Sequence, residues 1–166
     1  MTTSSYNFKD GLGPVPAHKH PNGGGWVADT ATVADTAYVG PEAKVYDNAK
    51  VFGNARVSDN AQVLHHARVS GNAQVYGNAE VFDYARVSDN AKVFGNAGVD
   101  FNARVFGNAK VFGDAEVFGD AEVFDNAQVF DNAEVSGNAQ VYGNAQVYGN
   151  AEVFGNAEVF GNRTFK

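Results

Sequence analysis

Two adjacent histidines interrupt an otherwise monotonous chain and are its first candidates for chemistry. They are His65 and His66, in the stretch QVLHHARVSG at residues 62–71, where neighbouring segments carry Gly-Asn or Asp-Asn instead. Imidazole changes its charge near neutral pH, so either histidine could act as a general base, a hydrogen-bond donor to phosphate or a metal ligand. The sequence thus directs the search for a site to one short interruption.

Basic residues recur every 18 positions around this interruption, and small hydroxyl residues accompany two of them. The basic residues are Lys50, Arg68, Arg86 and Arg104, and the hydroxyl residues are Ser70 and Ser88. Arginine presents a planar fork of N–H donors that fits phosphate and carboxylate groups. Stacked like charges repel each other unless something neutralises them. The spacing predicts an anion-binding site, and the alternative is a solvated row of cations with partners across a corner.

Two further irregular pairs follow the histidines at close to the same interval. They are Asp83 with Tyr84, and Asp100 with Phe101. Either aspartate could orient a histidine, and either aromatic ring could stack on a planar ligand. Irregular units that share one edge of a regular fold indicate a functional site. The alternative is a widened corner that docks the N-terminal segment or another subunit and binds no ligand.

A second histidine pair has the spacing H-x-H. On a strand, His18 and His20 would point the same way, as metal ligands do. The surrounding stretch GLGPVPAHKHPNGGG is rich in proline and glycine, which favours a solvated loop instead.

The elements that must position these residues follow from an unbroken six-residue repeat. Valine occurs at every sixth position from Val27 to Val159, 23 times, and alanine stands two residues before it from Ala31 to Ala157, 22 times. Six is not a helical period, whereas apolar residues at i and i+2 show the alternation of a β-strand. Columns that never vary in volume are those that a confined interior requires. The pattern therefore predicts that Ala and Val face inward.

Turn residues end each of these short strands and set the size of the coil. Gly-Asn, Asp-Asn or Gly-Asp follows nearly every unit, and these residues tolerate positive φ. Such short strands must pair with strands of successive coils. Three strands and three corners make an 18-residue coil, and coils stack at about 4.8 Å. The sequence predicts an all-β triangular prism of about seven to eight coils, with asparagine amide ladders along its corners.

The alanine, the valine and their spacing resemble the hexapeptide-repeat family over residues 27–162. That resemblance implies a left-handed parallel β-helix, and the opening GGGWVADTATVADTAYVG is similar to regular-repeat members that carry a transferase name. One departure concerns the position after valine. It is small or acidic in that family, but here it is Phe or Tyr in 14 of 23 units.

The sequence divides into three parts. Residues 1–24 are predicted to form an N-terminal loop or cap, residues 25–162 the β-helix, and residues 163–166 a C-terminal tail. An exposed first coil presents unpaired backbone groups, which need to be covered.

One outer face carries five aromatic residues in register. They are Tyr76, Phe94, Phe112, Phe130 and Tyr148. Soluble monomers rarely expose apolar stripes of this size, which favours a subunit interface, and the family resemblance implies a threefold one. The alternative is a ladder of rings that stabilises its own sheet.

Composition excludes several classes of protein. The net charge of −7 argues against general nucleic-acid binding, and the absence of cysteine excludes disulfides and thiolate metal sites. No apolar run approaches a membrane span and residues 1–25 lack the apolar core of a signal peptide, so the expected location is cytoplasmic. Residues 111–166 hold two basic residues and nine acidic ones, a polarity that could favour contacts between copies.

Together these features predict a non-catalytic trimeric binding or assembly protein that binds an anionic small molecule, such as a nucleotide, at an Arg/His edge. The resemblance implies an alternative, an acyltransferase in which His65 or His66 is the base and Arg68 or Arg86 meets the phosphates of CoA. The sequence shows neither the extruded loop nor the C-terminal cap usual in such enzymes. A zinc enzyme resembling γ-class carbonic anhydrases would need three histidines, and the repeat has two, so no metal site is predicted.

Overall fold

The computed structural model describes residues 4–166, and in this range the chain forms 26 β-strands and no helix. In chain order the strands are β1 (Ser5–Asn7), β2 (Pro14–Lys19), β3 (Trp26–Ala28), β4 (Thr32–Val33), β5 (Tyr38–Val39), β6 (Lys44–Val45), β7 (Lys50–Val51), β8 (Arg56–Val57), β9 (Gln62–Val63), β10 (Arg68–Val69), β11 (Gln74–Val75), β12 (Glu80–Val81), β13 (Arg86–Val87), β14 (Lys92–Val93), β15 (Gly98–Val99), β16 (Arg104–Val105), β17 (Lys110–Val111), β18 (Glu116–Val117), β19 (Glu122–Val123), β20 (Gln128–Val129), β21 (Glu134–Val135), β22 (Gln140–Val141), β23 (Gln146–Val147), β24 (Glu152–Val153), β25 (Glu158–Val159) and β26 (Thr164–Phe165).

The strands from β3 onward form three parallel sheets, which are the faces of a prism. Face 1 contains β3 and every third strand to β24, face 2 runs from β4 to β25, and face 3 from β5 to β26. Each strand pairs with the third strand after it in the chain, as Arg68 of β10 does with Arg86 of β13. This arrangement confirms the predicted all-β, parallel β-solenoid with three strands in each coil and about eight coils.

The interior of the prism is built from the two invariant columns of the repeat. Every valine from Val39 to Val147 and every alanine from Ala37 to Ala145 is fully buried. The residue between them and the residue after valine point outward, so each strand has one apolar and one variable side. Because the inner columns hold only Ala and Val, successive coils stack without shifts in register.

The three edges of the prism differ in the residues that turn the chain. We name them the 1–2 edge, the 2–3 edge and the 3–1 edge, after the faces they join. On the 2–3 edge the first corner residue of each coil from Gly53 onward has positive φ, as in Gly71 (φ 68°), where an added Cβ would lie 3.0 Å from the Asp89 backbone N. The second corner residue is asparagine, and its amide donates to the asparagine of the next coil from Asn54 to Asn162. These bonds form the predicted amide ladder.

The N-terminal segment forms a hairpin where the sequence suggests a loop or cap. Strands β1 and β2 pair antiparallel, and β2 pairs antiparallel with β3, so the hairpin continues the sheet of face 1. Pro14 is the first residue of β2, and Pro14 and Pro16 both precede residues 17–19, the part of β2 that pairs with β3, so their missing N–H groups remove no hydrogen bond from that paired part. The hairpin covers the first coil, since Phe8 is buried and its ring stacks on Tyr46 at 4.7 Å.

At the other end the solenoid continues beyond the sequence repeat. Thr164 pairs with Gln146 and Phe165 with Val147, so β26 belongs to face 3 although its residues do not fit the repeat. Within residues 4–166 the chain has no helix long and apolar enough to cross a membrane.

Candidate functional site

The 1–2 edge brings the irregular residues of the sequence together in consecutive coils. The His66 N–H donates to the Asp83 carbonyl oxygen at 2.8 Å, and the Tyr84 N–H donates to the Phe101 carbonyl oxygen at 2.8 Å. The side chains of these coils therefore stack along one edge at the spacing of paired strands. The predicted juxtaposition of the histidines with Asp83, Tyr84 and Phe101 is present in the structure.

His65 lies between two aspartates of the neighbouring coils. Its Nδ1 is 2.8 Å from Asp83 Oδ1, and its Nε2 is 3.7 Å from Asp47 Oδ2. Its backbone N–H also donates to Asp47 Oδ2 at 3.3 Å. Because a carboxylate only accepts hydrogen bonds, the contact with Asp83 places a proton on Nδ1 and fixes the orientation of the ring.

His66 and Tyr84 form an aromatic stack that is open at one end. Their ring centroids are 5.0 Å apart and the planes differ by 7°. Tyr84 is 60% exposed, and the next residue in its column is Asn102, whose side chain is shorter. The outer face of the Tyr84 ring is therefore accessible to a planar group, which would continue the stack by one step.

The backbone of this edge adopts an unfavourable conformation in four consecutive coils. Asp47, His65, Asp83 and Phe101 have φ of 56°, 55°, 55° and 50°. Positive φ is costly for residues with a Cβ, and on the 2–3 edge each such aspartate stands between glycines of the neighbouring coils. An unbroken run of four strained residues is the kind of backbone outlier from which a functional site can be inferred.

A cleft of about 780 Å³ separates this edge from the N-terminal hairpin. The hairpin contributes Phe8, Leu12 and Val15 to its wall, and the edge contributes His65 and Tyr84. The hairpin thus forms part of the candidate site and does more than cover the first coil.

Tyr46 also lines this cleft, and its hydroxyl is held in the protonated form. Burial, reinforced by Glu80, Asp47 and Asp10, raises the pKa of Tyr46 to about 12. The hydroxyl donates to Gln62 Oε1 at 3.2 Å. Tyr46 therefore supplies a fixed wall to the cleft and does not exchange protons near neutral pH.

The predicted cation column lies on face 2, directly beside the 1–2 edge. Lys50, Arg68 and Arg86 pair in register and are exposed, and within residues 4–166 no carboxylate lies within 4 Å of their side-chain nitrogens. Arg104 differs, because its Nη1 lies 2.6 Å from Glu122 Oε1 and its guanidinium covers the Phe106 ring at 5.1 Å. Three of the four predicted cations therefore lack a carboxylate partner in the described part of the chain.

Ser70 and Ser88 open a groove beside these cations. They occupy the column in which Phe52 and Phe106 flank them, and the space between the two rings is a groove of about 240 Å³. Arg68 and Arg86 line this groove with the two serines, and they also line a separate cavity of about 470 Å³ that reaches His66 and Tyr84. The hydroxyl groups and the guanidinium groups thus face one common space.

Asp100 lies apart from the histidines, on the face 1 side of the edge. It lines a separate groove of about 300 Å³ with Glu80 and Glu116. Burial, reinforced by Asp83 and Glu116, raises the pKa of Asp100 to about 6, and its Oδ1 is buried without a hydrogen-bond partner. Asp83, rather than Asp100, is the aspartate that orients a histidine.

His18 and His20 do not form a common site. His18 is exposed on β2 with its Nδ1 2.8 Å from Asp29 Oδ1, whereas His20 is buried with its Nδ1 3.2 Å from the Asn22 carbonyl oxygen. Among residues 4–166 no group of three His, Cys, Asp or Glu side chains is arranged to hold a metal ion.

Two aromatic ladders run along the outside of the prism. On face 3 the rings of Tyr76, Phe94, Phe112, Phe130 and Tyr148 stack at 4.8 to 5.0 Å. Face 2 carries a second ladder of Phe106, Phe124, Tyr142 and Phe160, stacked at 4.9 to 5.4 Å. The second ladder was not predicted, although its residues have the same spacing along the chain as those of the first.

The repeat geometry defines the class of protein: the chain is a parallel β-solenoid repeat protein. Residues 49–65 and 127–143 match a family model described as YdcK beta solenoid repeat. No curated protein and no solved structure matches the chain. The family model supports a repeat β-helix family, while the hexapeptide-repeat and transferase names stay predictions.

Proposed function

We propose that this solenoid is a non-catalytic binding and assembly protein that holds an anionic small molecule, a nucleotide or another phosphate-bearing metabolite, at the 1–2 edge. One observation carries the proposal. Lys50, Arg68 and Arg86 stack at about 4.8 Å, and within the described part of the chain no carboxylate neutralises them. A bound anion would relieve their mutual repulsion.

The shape of the surrounding surface supports a ligand with a planar ring as well as phosphate. The cavity shared by the cations, His66 and Tyr84 has a volume of about 470 Å³, which is within the range of small-molecule sites. Arg68 and Arg86 present bidentate donors for phosphate oxygens. The open face of Tyr84 offers a stacking surface to a base at the other end of the same molecule.

Ligand-induced stabilisation tests this proposal. We expect ATP, AMP or inorganic pyrophosphate to raise the thermal unfolding midpoint, because a ligand at a hundred times its Kd stabilises the folded state by about 2.7 kcal/mol. Arg86→Ala should abolish the shift. Lys110→Ala, which removes an exposed cation from face 3, is the matched control and should retain it. No shift with any nucleotide, CoA or sugar phosphate would remove the anion site.

A second candidate is an acyltransferase that uses CoA, and the hydrogen bond between Asp83 and His65 favours it. An imidazole that donates through Nδ1 keeps a lone pair on Nε2, as a general base requires, and the nearest carboxylate oxygen to it, Asp47 Oδ2, lies 3.7 Å away, beyond hydrogen-bond distance. Under this alternative, CoA binds and acyl transfer to an acceptor is lost in His65→Ala and His66→Ala, whereas His18→Ala retains it. The protein is also incubated with acyl-CoA and a panel of amine and hydroxyl acceptors. If it binds CoA but transfers no acyl group, the result favours the non-catalytic proposal.

Assembly is the other part of the proposal, and it concerns the ladder on face 3. We propose that this face forms a homotrimer, because its five rings make one apolar stripe. Apolar contacts persist in salt, so native mass at high ionic strength should be near three subunits. Phe112→Asp should reduce it to one, and Phe118→Asp on face 1 is the control. A wild-type protein that is monomeric under these conditions would contradict the trimer and leave the rings a role within their own sheet.

A further inference from the structure

We infer that two copies of this chain pair side by side in antiparallel orientation through face 2. The outward residues of this face carry opposite charges in its two halves. In coil order they are Lys50, Arg68, Arg86, Arg104, Glu122, Gln140 and Glu158. A face with one basic and one acidic half is complementary to a second copy of itself turned end over end.

A twofold axis in the plane of the face, perpendicular to the prism axis, gives the pairing. Centred on Arg104, it sets Arg86 opposite Glu122 of the second copy and Lys50 opposite Glu158 of the second copy. Arg68 meets Gln140, an amide that can accept its hydrogen bonds. The three cations without a carboxylate partner in the described part of their own chain thus each find an acceptor, and the twofold axis repeats every contact. At the centre Arg104 faces Arg104 of the second copy, where each guanidinium is already bonded to Glu122 of its own chain.

The neighbouring column is complementary in size at two of its steps, on either side of a central contact between Phe106 of the two copies. In coil order it reads Phe52, Ser70, Ser88, Phe106, Phe124, Tyr142 and Phe160. The same axis sets Ser88 opposite Phe124 and Ser70 opposite Tyr142, so each of these two rings faces a small residue. The groove between Phe52 and Phe106, of about 240 Å³, lies where these two rings would insert.

The half of the face that carries the ring ladder, from Phe106 to Phe160, has little twist. Successive rings of its ladder differ in tilt by only 4°, 5° and 14°. Both copies therefore present contacts with the same repeat of about 4.8 Å, and one correct pair brings the others into register. A parallel arrangement is excluded because it would set the basic halves against each other.

The size of the face sets the expected strength of the pair. Seven coils span about 30 Å and the side of a coil about 13 Å, which gives roughly 400 Å² of flat area on each copy. This is small for a protein interface, so we infer a weak and reversible dimer. Its exposed ion pairs make it sensitive to salt.

This inference goes beyond the proposed function and does not depend on it. The small anion and the second copy are alternative occupants of Lys50, Arg68 and Arg86. A bound anion therefore excludes the second copy. Anion binding and pairing are each measured under conditions in which the other does not occur. Anion binding is measured in dilute protein, and pairing in concentrated protein without added anion at low ionic strength.

Charge exchange across the interface tests the pairing directly. The test uses the Phe112→Asp background, in which face 3 is not expected to assemble. In this concentrated protein at low ionic strength, sedimentation should give twice the mass found at high ionic strength. Arg86→Glu and Glu122→Arg should each abolish this doubling, because like charges then face each other. An equimolar mixture of the two variants should restore the doubling. In a mixed pair, the new carboxylate at position 86 of one variant faces the new guanidinium at position 122 of the other, so opposite charges meet again.

Two further variants keep the test independent of the bond between Arg104 and Glu122. Lys50→Glu and Glu158→Lys should lose the doubling separately and regain it when mixed, while Lys110→Glu on face 3 should retain it. Thermal unfolding of each variant verifies that it is folded. A mass of the Phe112→Asp protein that does not depend on ionic strength, or folded variants whose mixtures do not regain the doubled mass, would overturn the inference, whatever the result for anion binding.

Discussion

Two edges of this prism turn the chain with very different residues. Along the 2–3 edge seven asparagines, from Asn54 to Asn162, form one uninterrupted amide ladder. Each aspartate with positive φ on that edge is followed in the next coil by a glycine that donates its N–H to it, as Gly107 does to Asp89 Oδ2 at 3.1 Å. The 1–2 edge instead places histidine, aspartate, tyrosine and phenylalanine at the equivalent positions.

The difference shows what folding requires and what it does not. Glycine, asparagine and aspartate suffice to turn the coils from Gly53 onward on the 2–3 edge, so His65, Tyr84 and Phe101 are not needed for the turn. His65 and Phe101 carry a cost, because a residue with a Cβ in the left-handed region is less stable by about 1–2 kcal/mol. Residues that weaken a fold at one edge while equivalent turns elsewhere avoid them are best explained by a function at that edge.

The largest expected effect comes from making the two edges alike. A variant with His65→Gly, His66→Asn, Asp83→Gly, Tyr84→Asn and Phe101→Gly should unfold at a higher temperature, with a gain of about 3 kcal/mol from relieved backbone strain. The same variant should show a smaller ATP-induced thermal shift than wild type, because the Tyr84 stacking surface is gone while Arg68 and Arg86 remain. Calorimetry with and without ATP measures both effects. A variant that is less stable than wild type would show that the irregular residues are structural.

A smaller effect concerns the residue that precedes each edge. Asp100 stands before the 1–2 edge, where Phe106 stands before the 2–3 edge, and its pKa of about 6 lies above the usual value of 3.8. A raised carboxyl pKa means that the folded state holds the proton more tightly than the unfolded state. The contribution of Asp100 to stability is therefore greatest below pH 4 and falls as the pH rises to about 6.

Asp100→Asn should therefore stabilise the protein at pH 7 by about 1–2 kcal/mol, after allowance for solvent screening, and have little effect at pH 4. Thermal unfolding as a function of pH measures this difference. Asp35→Asn, at an exposed corner, is the control for the chemical change. Equal gains at both pH values for Asp100→Asn would contradict the electrostatic explanation.

Backbone strain at a single residue gives an effect of about 1 kcal/mol. Phe101→Gly should stabilise the protein by this amount, because glycine adopts a φ of 50° without steric cost. Phe106→Gly removes the same side chain on the same coil, but from a ladder whose rings stack at 4.9 Å, and should destabilise. Opposite signs in chemical denaturation would establish the difference between the edges, whereas two losses would argue against strain at Phe101.

Structural features that belong to the repeat could be predicted from the sequence, and features outside it could not. The valine and alanine columns determined the coil, the interior and the register, so the stacking of His66 on Tyr84 and of Arg68 on Arg86 followed from counting by 18. The hairpin at β1 and β2 lies outside the repeat. Its prolines suggest a loop, but a strand tolerates proline near its first residue, before the segment that pairs on both sides.

The hydrogen bonds and ion pairs of side chains within the site could not be predicted from the 18-residue spacing alone. The register of the strands sets Arg104 beside Glu122. It does not show that these two side chains form an ion pair, whereas Arg86 has no carboxylate partner among residues 4–166. Asp100 was grouped with the histidines because it is adjacent in sequence to Phe101. The alternation of the strand turns it to face 1 instead, where Glu80 and Glu116 surround it.

The smallest expected effect compares asparagines of the same coil on the two edges. Asn108 accepts from Asn90 at 3.3 Å and donates to Asn126 at 3.2 Å, whereas Asn102 donates to Asp120 but follows Tyr84, which is not an amide. Asn108→Ala removes two hydrogen bonds and Asn102→Ala one, so the losses should be about 1 kcal/mol and about half of that. Denaturant titration of the two variants resolves the difference. Equal losses would mean that an asparagine inside the amide ladder contributes no more stability than an asparagine in a single pair. The difference between the two edges would then be confined to the first corner residue of each coil.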